Sequence, residues 1–276
     1  MRRFALFAIP FVLLAGTVRA QQVPQAPLGT TPADTATEGS KASAMTPREV
    51  AEMRAELMMA RKEYAEAAKA YQTILIDDPR NAKLLNYVGM AYQQLGDAEQ
   101  AEHYYKLAAR ADKTSANALN NLGTVEYSSQ RYGKAIKYYK KAIATGNALP
   151  TVYTNLGYAY CSIKEFPKAL EVFNKALALD PEVFDHKGTS GSVLQQRTSA
   201  DPGSLNFTLA KSFARIGDAE RAARYLKLAR DEGYKQFRSA EKDPDFASVL
   251  KDARVQEVLR VHPAYATEPP PKPATN

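Results

Sequence analysis

Three histidines, one cysteine and a glycine–serine segment are the places in this 276-residue chain to look first for catalysis or metal binding. His103, His186 and His262 lie far apart, and no two have the spacing that brings imidazoles onto one metal. Neither H-E-x-x-H nor C-x-x-C occurs, so a zinc or redox centre has no motif. Gly188-Thr189-Ser190-Gly191-Ser192 misses the nucleophile elbow G-x-S-x-G, whose second glycine comes one residue later. It also lacks the Gly-Lys-Ser/Thr ending of a phosphate-binding loop. Cys161 follows Tyr160 in a helix-forming stretch and reads as a small residue at a helix seam, since a reactive thiol needs exposure and a lowered pKa. Glu99 and Glu102 read as solubilising charges on a helix rather than an acid–base couple. The expectation is a protein with no catalytic residue, no metal and no cofactor.

The elements that would carry these residues are bounded by composition. With 45% hydrophobic and 24% charged residues, the chain has enough apolar matter for a core, which excludes disorder throughout. A single cysteine excludes an intrachain disulfide framework. Length alone points to two domains, and the net charge of +7 points to an anionic partner such as nucleic acid or a membrane surface. The first 20 residues change the charge argument. Arg2 and Arg3 precede an apolar run from Phe4 to Gly16, and Val18-Arg19-Ala20 offers small residues for a signal peptidase. The run is shorter than the roughly 20 apolar residues that span a bilayer. Residues 1–20 are therefore expected to be a signal peptide cleaved after Ala20, with a periplasmic destination. Removing them takes away three arginines and no acid and leaves +4. Nucleic acid is set aside as a partner on that ground, and membrane association is secondary.

Residues 21–45 lack apolar periodicity and read as a flexible leader, and 263–276, with Pro269-Pro270-Pro271, as an extended disordered tail. Between them Thr46-Pro47-Arg48-Glu49 has the pattern of a capping box opening a helix. Helix formers dominate from there, with breaks such as Leu95-Gly96-Asp97 and Asp180-Pro181 and no long alternating strand pattern. Three ladders share a period of 34 residues: Gly89, Gly123 and Gly157; Ala67, Ala101, Ala135 and Ala169; Tyr71, Tyr105, Tyr139 and Phe173. Within the fourth period Tyr153, Leu156, Gly157 and Tyr160 share one helical face, and Ala169, Phe173 and Ala176 share another. Glycine and alanine let the two helices approach while the aromatic side chains fill the space beside them. The two-domain expectation gives way to one repeat array.

This pattern resembles the tetratricopeptide repeat, and the resemblance implies an all-α, right-handed solenoid of helix–turn–helix units. Four units occupy 46–183, and a degenerate fifth occupies 203–236, carried by Leu209, Ala210, Phe213, Gly217, Ala222 and Ala229. The first unit departs from the pattern with Arg54 and Ala55 at the usual Leu-Gly, the third with Glu126 at a common aromatic position, and the fifth with Ala210 for glycine. Residues 184–202 insert a glycine- and serine-rich segment that reads equally as a surface loop and as a binding element. Residues 237–262, with Phe246, Val249, Leu250, Val255, Val258 and Leu259, are expected to cap the array, since a solenoid end exposes its stacking face.

In the resembling family the first helices line a concave groove. Transferred by position, the groove comprises Lys83, Asn86, Met90 and Gln93 in unit two, Asn117, Asn120, Asn121, Thr124 and Tyr127 in unit three, and Thr154, Asn155 and Tyr158 in unit four. Tyr87, Gln94, Thr151 and Cys161 fall on the same set. Amides donate and accept together, which suits a peptide backbone, and tyrosines add rigid contact area. Asn121 and Asn155, 34 apart, resemble the asparagine ladder that grips extended peptides in O-GlcNAc transferase-like arrays, with Asn86 one position out of register. The same asparagine also occurs in such repeats without a ligand. A basic clamp for a C-terminal carboxylate finds Lys83 alone. Lys134, Lys137, Lys140 and Lys141 fall on a second helix as a solvated outer face. The expected function is an exported, non-enzymatic adaptor binding an extended segment of another protein, with no small-molecule substrate. A structural, self-associating part of an envelope assembly is the alternative; the oligomeric state and the partner are not legible.

Overall fold

A computed structural model describes residues 45–185 and 201–260. The expected signal segment, the leader up to residue 44, insertion residues 186–200 and residues 261–276 lie outside the described residues. Within them the chain is helical, with no strand. Eleven α-helices follow one another: α1 (Pro47–Ala60), α2 (Tyr64–Leu75), α3 (Ala82–Gln94), α4 (Ala98–Ala111), α5 (Ala116–Ser128), α6 (Tyr132–Ala144), α7 (Pro150–Ser162), α8 (Phe166–Leu179), α9 (Pro202–Arg215), α10 (Ala219–Asp231) and α11 (Ala253–Arg260). Two 3-10 turns, Phe237–Glu241 and Pro244–Phe246, precede the last helix. None of these helices is long and apolar enough to cross a membrane. Their starts follow from sequence. Thr46 accepts from the Glu49 amide while Glu49 bonds back to the Thr46 amide, and Asn81, Asp97, Ser115, Asp201 and Asp218 cap their helices in the same sense.

Each helix packs on the next, so α1 to α10 form five antiparallel pairs stacked in order. The first helices α3, α5, α7 and α9 also touch their like neighbours, whereas the second helices are not joined in this way. The first helices therefore form the inner row and the second helices the outer one. This all-α solenoid with a helical C-terminal cap is the expected fold class.

One contact recurs inside the pairs. A methyl group on Gly89 would lie 2.6 Å from the Tyr105 ring, and Gly123 and Gly157 meet the rings of Tyr139 and Phe173 just as closely. These rings are fully buried. Each glycine thus exists to admit a ring from the partner helix, sixteen positions later. The fifth pair solves the same volume differently: Ala210 adds the methyl and Leu226 replaces the ring, both fully buried. In the first pair Ala55 faces the buried Tyr71 position.

The turns between paired helices repeat as well. Lys62, Gln130 and Lys164 adopt positive φ near 60°, and Gly96 and Gly217 take the equivalent places. After each, an amide bonds back five residues, as Arg131 does to the Glu126 carbonyl at 2.8 Å, which closes the helix end in a Schellman turn.

The stacking continues past the insertion through rings and one arginine. Tyr158, Phe173, Phe184, Phe213 and Tyr225 form a chain of ring contacts with centroids 5.2–5.6 Å apart, from α7 to α10. Arg221 on α10 lies over Phe213, donates to the Pro181 carbonyl at 2.8 Å, and pairs with Glu182 and Asp185 beyond α8. At the C-terminal end Lys211 and Arg215 of α9 pair with Asp243 and Asp245, and Phe246, Val249 and Val255 are buried below them. This segment closes the apolar end of the fifth pair.

Candidate peptide-binding groove

The inner row presents the amides that the sequence placed there, and they are bonded to one another. Asn155 Nδ2 donates to Asn120 Oδ1 at 3.0 Å, Asn120 Nδ2 to Asn121 Oδ1 at 3.4 Å, and Asn121 Nδ2 to Asn86 Oδ1 at 3.0 Å. Asn86 Nδ2 then reaches the Met90 sulfur at 3.6 Å. Four asparagines on α7, α5 and α3 form one continuous relay, and its two bonds between helices both donate towards the preceding repeat. The bonds between repeats join residues 35 apart, not 34. Adjacent first helices meet with an offset of one position, so Asn86, which is out of register by sequence, is in register in space.

Burial separates the expected groove residues into two groups. Asn120, Asn121 and Asn155 are buried, and Asn155 has no exposed surface. Thr124 and Thr154 are also buried, bonded to the backbone carbonyls of Asn120 and Thr151. Tyr127 is buried edge-on to Tyr132, with its hydroxyl 2.9 Å from Ser162, and Tyr158 is buried between Phe173 and Phe184. Along α5 and α7 the face expected to stand open is thus spent largely on neighbouring helices. Lys83 is exposed but pairs with Glu52 at 3.3 Å and Glu56 at 3.8 Å on α1. Asn117 is exposed, and Met90 and Gln93 are half-buried.

Met90, Gln93 and Asn117, but not Lys83, line one depression. It is walled by Tyr87, Met90, Gln93 and Gln94 from α3, Asn117 from α5, and Leu149, Thr151 and Val152 at the start of α7, with Asn86, Asn120 and Asn121 at its floor. Gln93 is held by the Tyr105 hydroxyl, which donates to it at 2.7 Å, a contact between helices that the repeat pattern did not announce. Thr151 Oγ1 is buried and has no hydrogen-bond partner among the described residues. Buried hydroxyls are nearly always paired, so this atom is an exception beside the depression.

The residues weighed for catalysis are placed without assembling a centre. Burial pushes the Cys161 thiol up to about 12, which keeps it protonated and inert as a nucleophile at neutral pH. His103 is exposed against Tyr104, and Glu102 pairs with Lys106 and Arg131. Glu126, at the position where an aromatic was expected, is buried against Arg131. His186, His262 and the Gly188–Ser192 segment lie outside the described residues. Among the described residues no cluster of three metal-ligating side chains occurs.

Residues 82–148 and 114–182 match the tetratricopeptide repeat family. Residues 82–182 are tetratricopeptide repeats. The match covers α3 to α8, the repeats that hold the asparagine relay. No curated protein matches the chain. Among solved structures, the tetratricopeptide array resembles PilF of Pseudomonas aeruginosa at 20% identity, covering 76% of this chain and 95% of that one with a TM-score of 0.50. It also resembles PilW, a type IV pilus biogenesis factor, at 19% identity, covering 78% of this chain and all of that one with a TM-score of 0.50. A third similarity is to MamA, at 23% identity and a TM-score of 0.46, covering 70% of this chain and 98% of that one. These likenesses concern the fold.

Proposed function

We propose that the protein is an exported, non-enzymatic scaffold that binds an extended segment of another protein against α3, α5 and the start of α7. The observation that carries this reading is the depression itself. It joins a rigid amide floor to the half-buried Tyr87, Met90 and Gln93 and to a buried Thr151 hydroxyl without a partner among the described residues. Gln94 and Asn117, both exposed, are free to take the alternating carbonyl and N–H groups of an extended backbone. The floor asparagines act indirectly. Their relay fixes the spacing of the first helices, so the outer residues meet a ligand without reorganising. This differs from a ladder in which Asn121 and Asn155 grip the peptide themselves.

Export rests on the basic and apolar pattern of residues 1–20, and the absence of an enzymatic role rests on the lack of any catalytic motif. The test of binding is selection of peptides from a displayed random library on the mature protein, repeated on Asn117→Arg. Peptides enriched on the wild type and lost on the variant support the groove. Selection of the same peptides by both would remove this face from the account.

A further inference from the structure

The outer row carries a second surface, independent of the groove. On α6 the solvent-facing positions Lys134, Lys137, Lys140 and Lys141 are exposed, and the helix contains no acidic residue. None of the four lysines forms an ion pair among the described residues. Neighbouring helices behave otherwise: Lys106 pairs with Glu102 at 2.5 Å, Lys168 with Glu165 at 3.1 Å and Lys175 with Glu171 at 2.8 Å. Lys69, Arg110 and Lys227 on other outer helices also lack an ion-pair partner among the described residues, but of α2, α4, α6, α8 and α10 only α6 carries basic residues with no acid. Lys134 to Lys141 spans about 10 Å along the helix.

Directly beside these lysines lies an apolar recess between α6, α7 and α8. Its lining includes Ile143, Tyr153, Tyr160 and Val172, with Lys140, Lys168 and the Lys175–Glu171 ion pair around them, so one carboxylate there is already neutralised. Lys168 lies 5.9 Å from the Tyr160 ring centroid. The apolar groups are half-buried or buried, whereas the lysines are exposed. A bilayer surface is met by apolar side chains that project into it, so a recess does not suit it. Phosphate recognition favours the bidentate guanidinium of arginine, and α6 has none. What fits is a ligand that brings its own large apolar side chain and surrounds it with carboxylates.

We propose that this outer face of the third and fourth repeats docks an acidic protein segment, with one aromatic or large aliphatic side chain seated between α6 and α8 and its carboxylates paired to the α6 lysines. The scaffold then holds two partners, one on each row of helices.

The probe is a short fluorescein-labelled peptide of aspartates and glutamates around one phenylalanine, titrated by anisotropy into the mature full chain. Binding should weaken about tenfold in Lys137→Gln/Lys140→Gln, two exposed changes without a packing role. It should weaken about tenfold again when the phenylalanine of the probe is replaced by alanine. Asn117→Arg, in the inner groove, should leave it unchanged. Equal affinity for the phenylalanine and alanine probes, or for wild type and the lysine variant, overturns the proposal. So does tighter lysine-dependent binding to anionic phospholipid vesicles or to a single-stranded oligonucleotide than to the peptide.

Discussion

The side-chain amide of Asn155 donates to the side-chain carbonyl of Asn120, one repeat earlier and 35 residues away, at 3.0 Å. Asn121 makes the same bond to Asn86, and the two are joined through Asn120 and Asn121. Replacing Asn120 by Ala removes both of its bonds in a buried site, and each is worth about 1–2 kcal/mol there. Asn120→Ala should therefore lower stability by about 2–4 kcal/mol, read as the urea midpoint followed by circular dichroism. Asn117→Ala, exposed beside it, should stay within about 0.5 kcal/mol of wild type. Equal effects at the two positions would mean that the relay holds nothing.

The glycine–ring contact predicts a compensated pair. Gly157→Ala gains roughly 0.5–1 kcal/mol of helix propensity but drives a methyl into the Phe173 ring, at a cost of about 1–3 kcal/mol or more. The single change should destabilise. Adding Phe173→Leu should recover at least half of that loss, because Ala210 with Leu226 is the pairing the fifth repeat already uses. A double-mutant cycle on thermal midpoints reads the coupling, and strictly additive effects would contradict the shared volume.

Three helix ends pay for a left-handed residue that is not glycine. Gln130→Gly and Lys164→Gly should each raise stability by about 0.5–1 kcal/mol, since a side chain at positive φ costs about 1–2 kcal/mol and glycine returns part of this as chain entropy. A fall in thermal midpoint for both would show that their side chains carry contacts outweighing the strain.

Acid should loosen the C-terminal cap. Burial pushes the Asp245 carboxyl up, but hydrogen bonds from Arg215 and Lys211 outweigh it and hold its pKa below the ordinary aspartate value. A carboxylate with a lowered folded pKa adds stability above its unfolded pKa and loses it as pH falls through the folded one. Stability should thus be flat from neutral pH down to the ordinary carboxylate range and then drop below it. Asp245→Asn should be less stable at pH 7 and show a shallower acid drop, measured as urea midpoints across pH.

The solenoid was legible because its recurring contact is written in two residue types at a fixed distance, Gly89, Gly123 and Gly157 against Tyr105, Tyr139 and Phe173. The capping box at Thr46 and the Pro181 break were likewise local signals with local consequences. The groove was less legible. Its asparagines were visible, but a 34-residue comparison hides a contact that runs at 35, because neighbouring first helices meet one position out of step. The burial of Tyr127 and Tyr158 was hidden for a related reason. Their partners, Ser162 and Phe184, lie in the next repeat or beyond the end of their own, outside the face that periodicity defines. Left-handed backbone at Lys62, Gln130 and Lys164 carries no residue signature and emerges only beside Gly96 in the same register.

The central claim is that an extended partner lies on the inner row at α3 and α5. A peptide selected on the mature protein, carrying a photoreactive benzoylphenylalanine, can be crosslinked to the full chain and the adducts located by mass spectrometry. The account predicts adducts on Tyr87, Met90, Gln94 and Asn117, lost when Asn117 is replaced by Arg. Adducts confined to the outer helices α2, α4, α6 or α8, unaffected by that change, would contradict it.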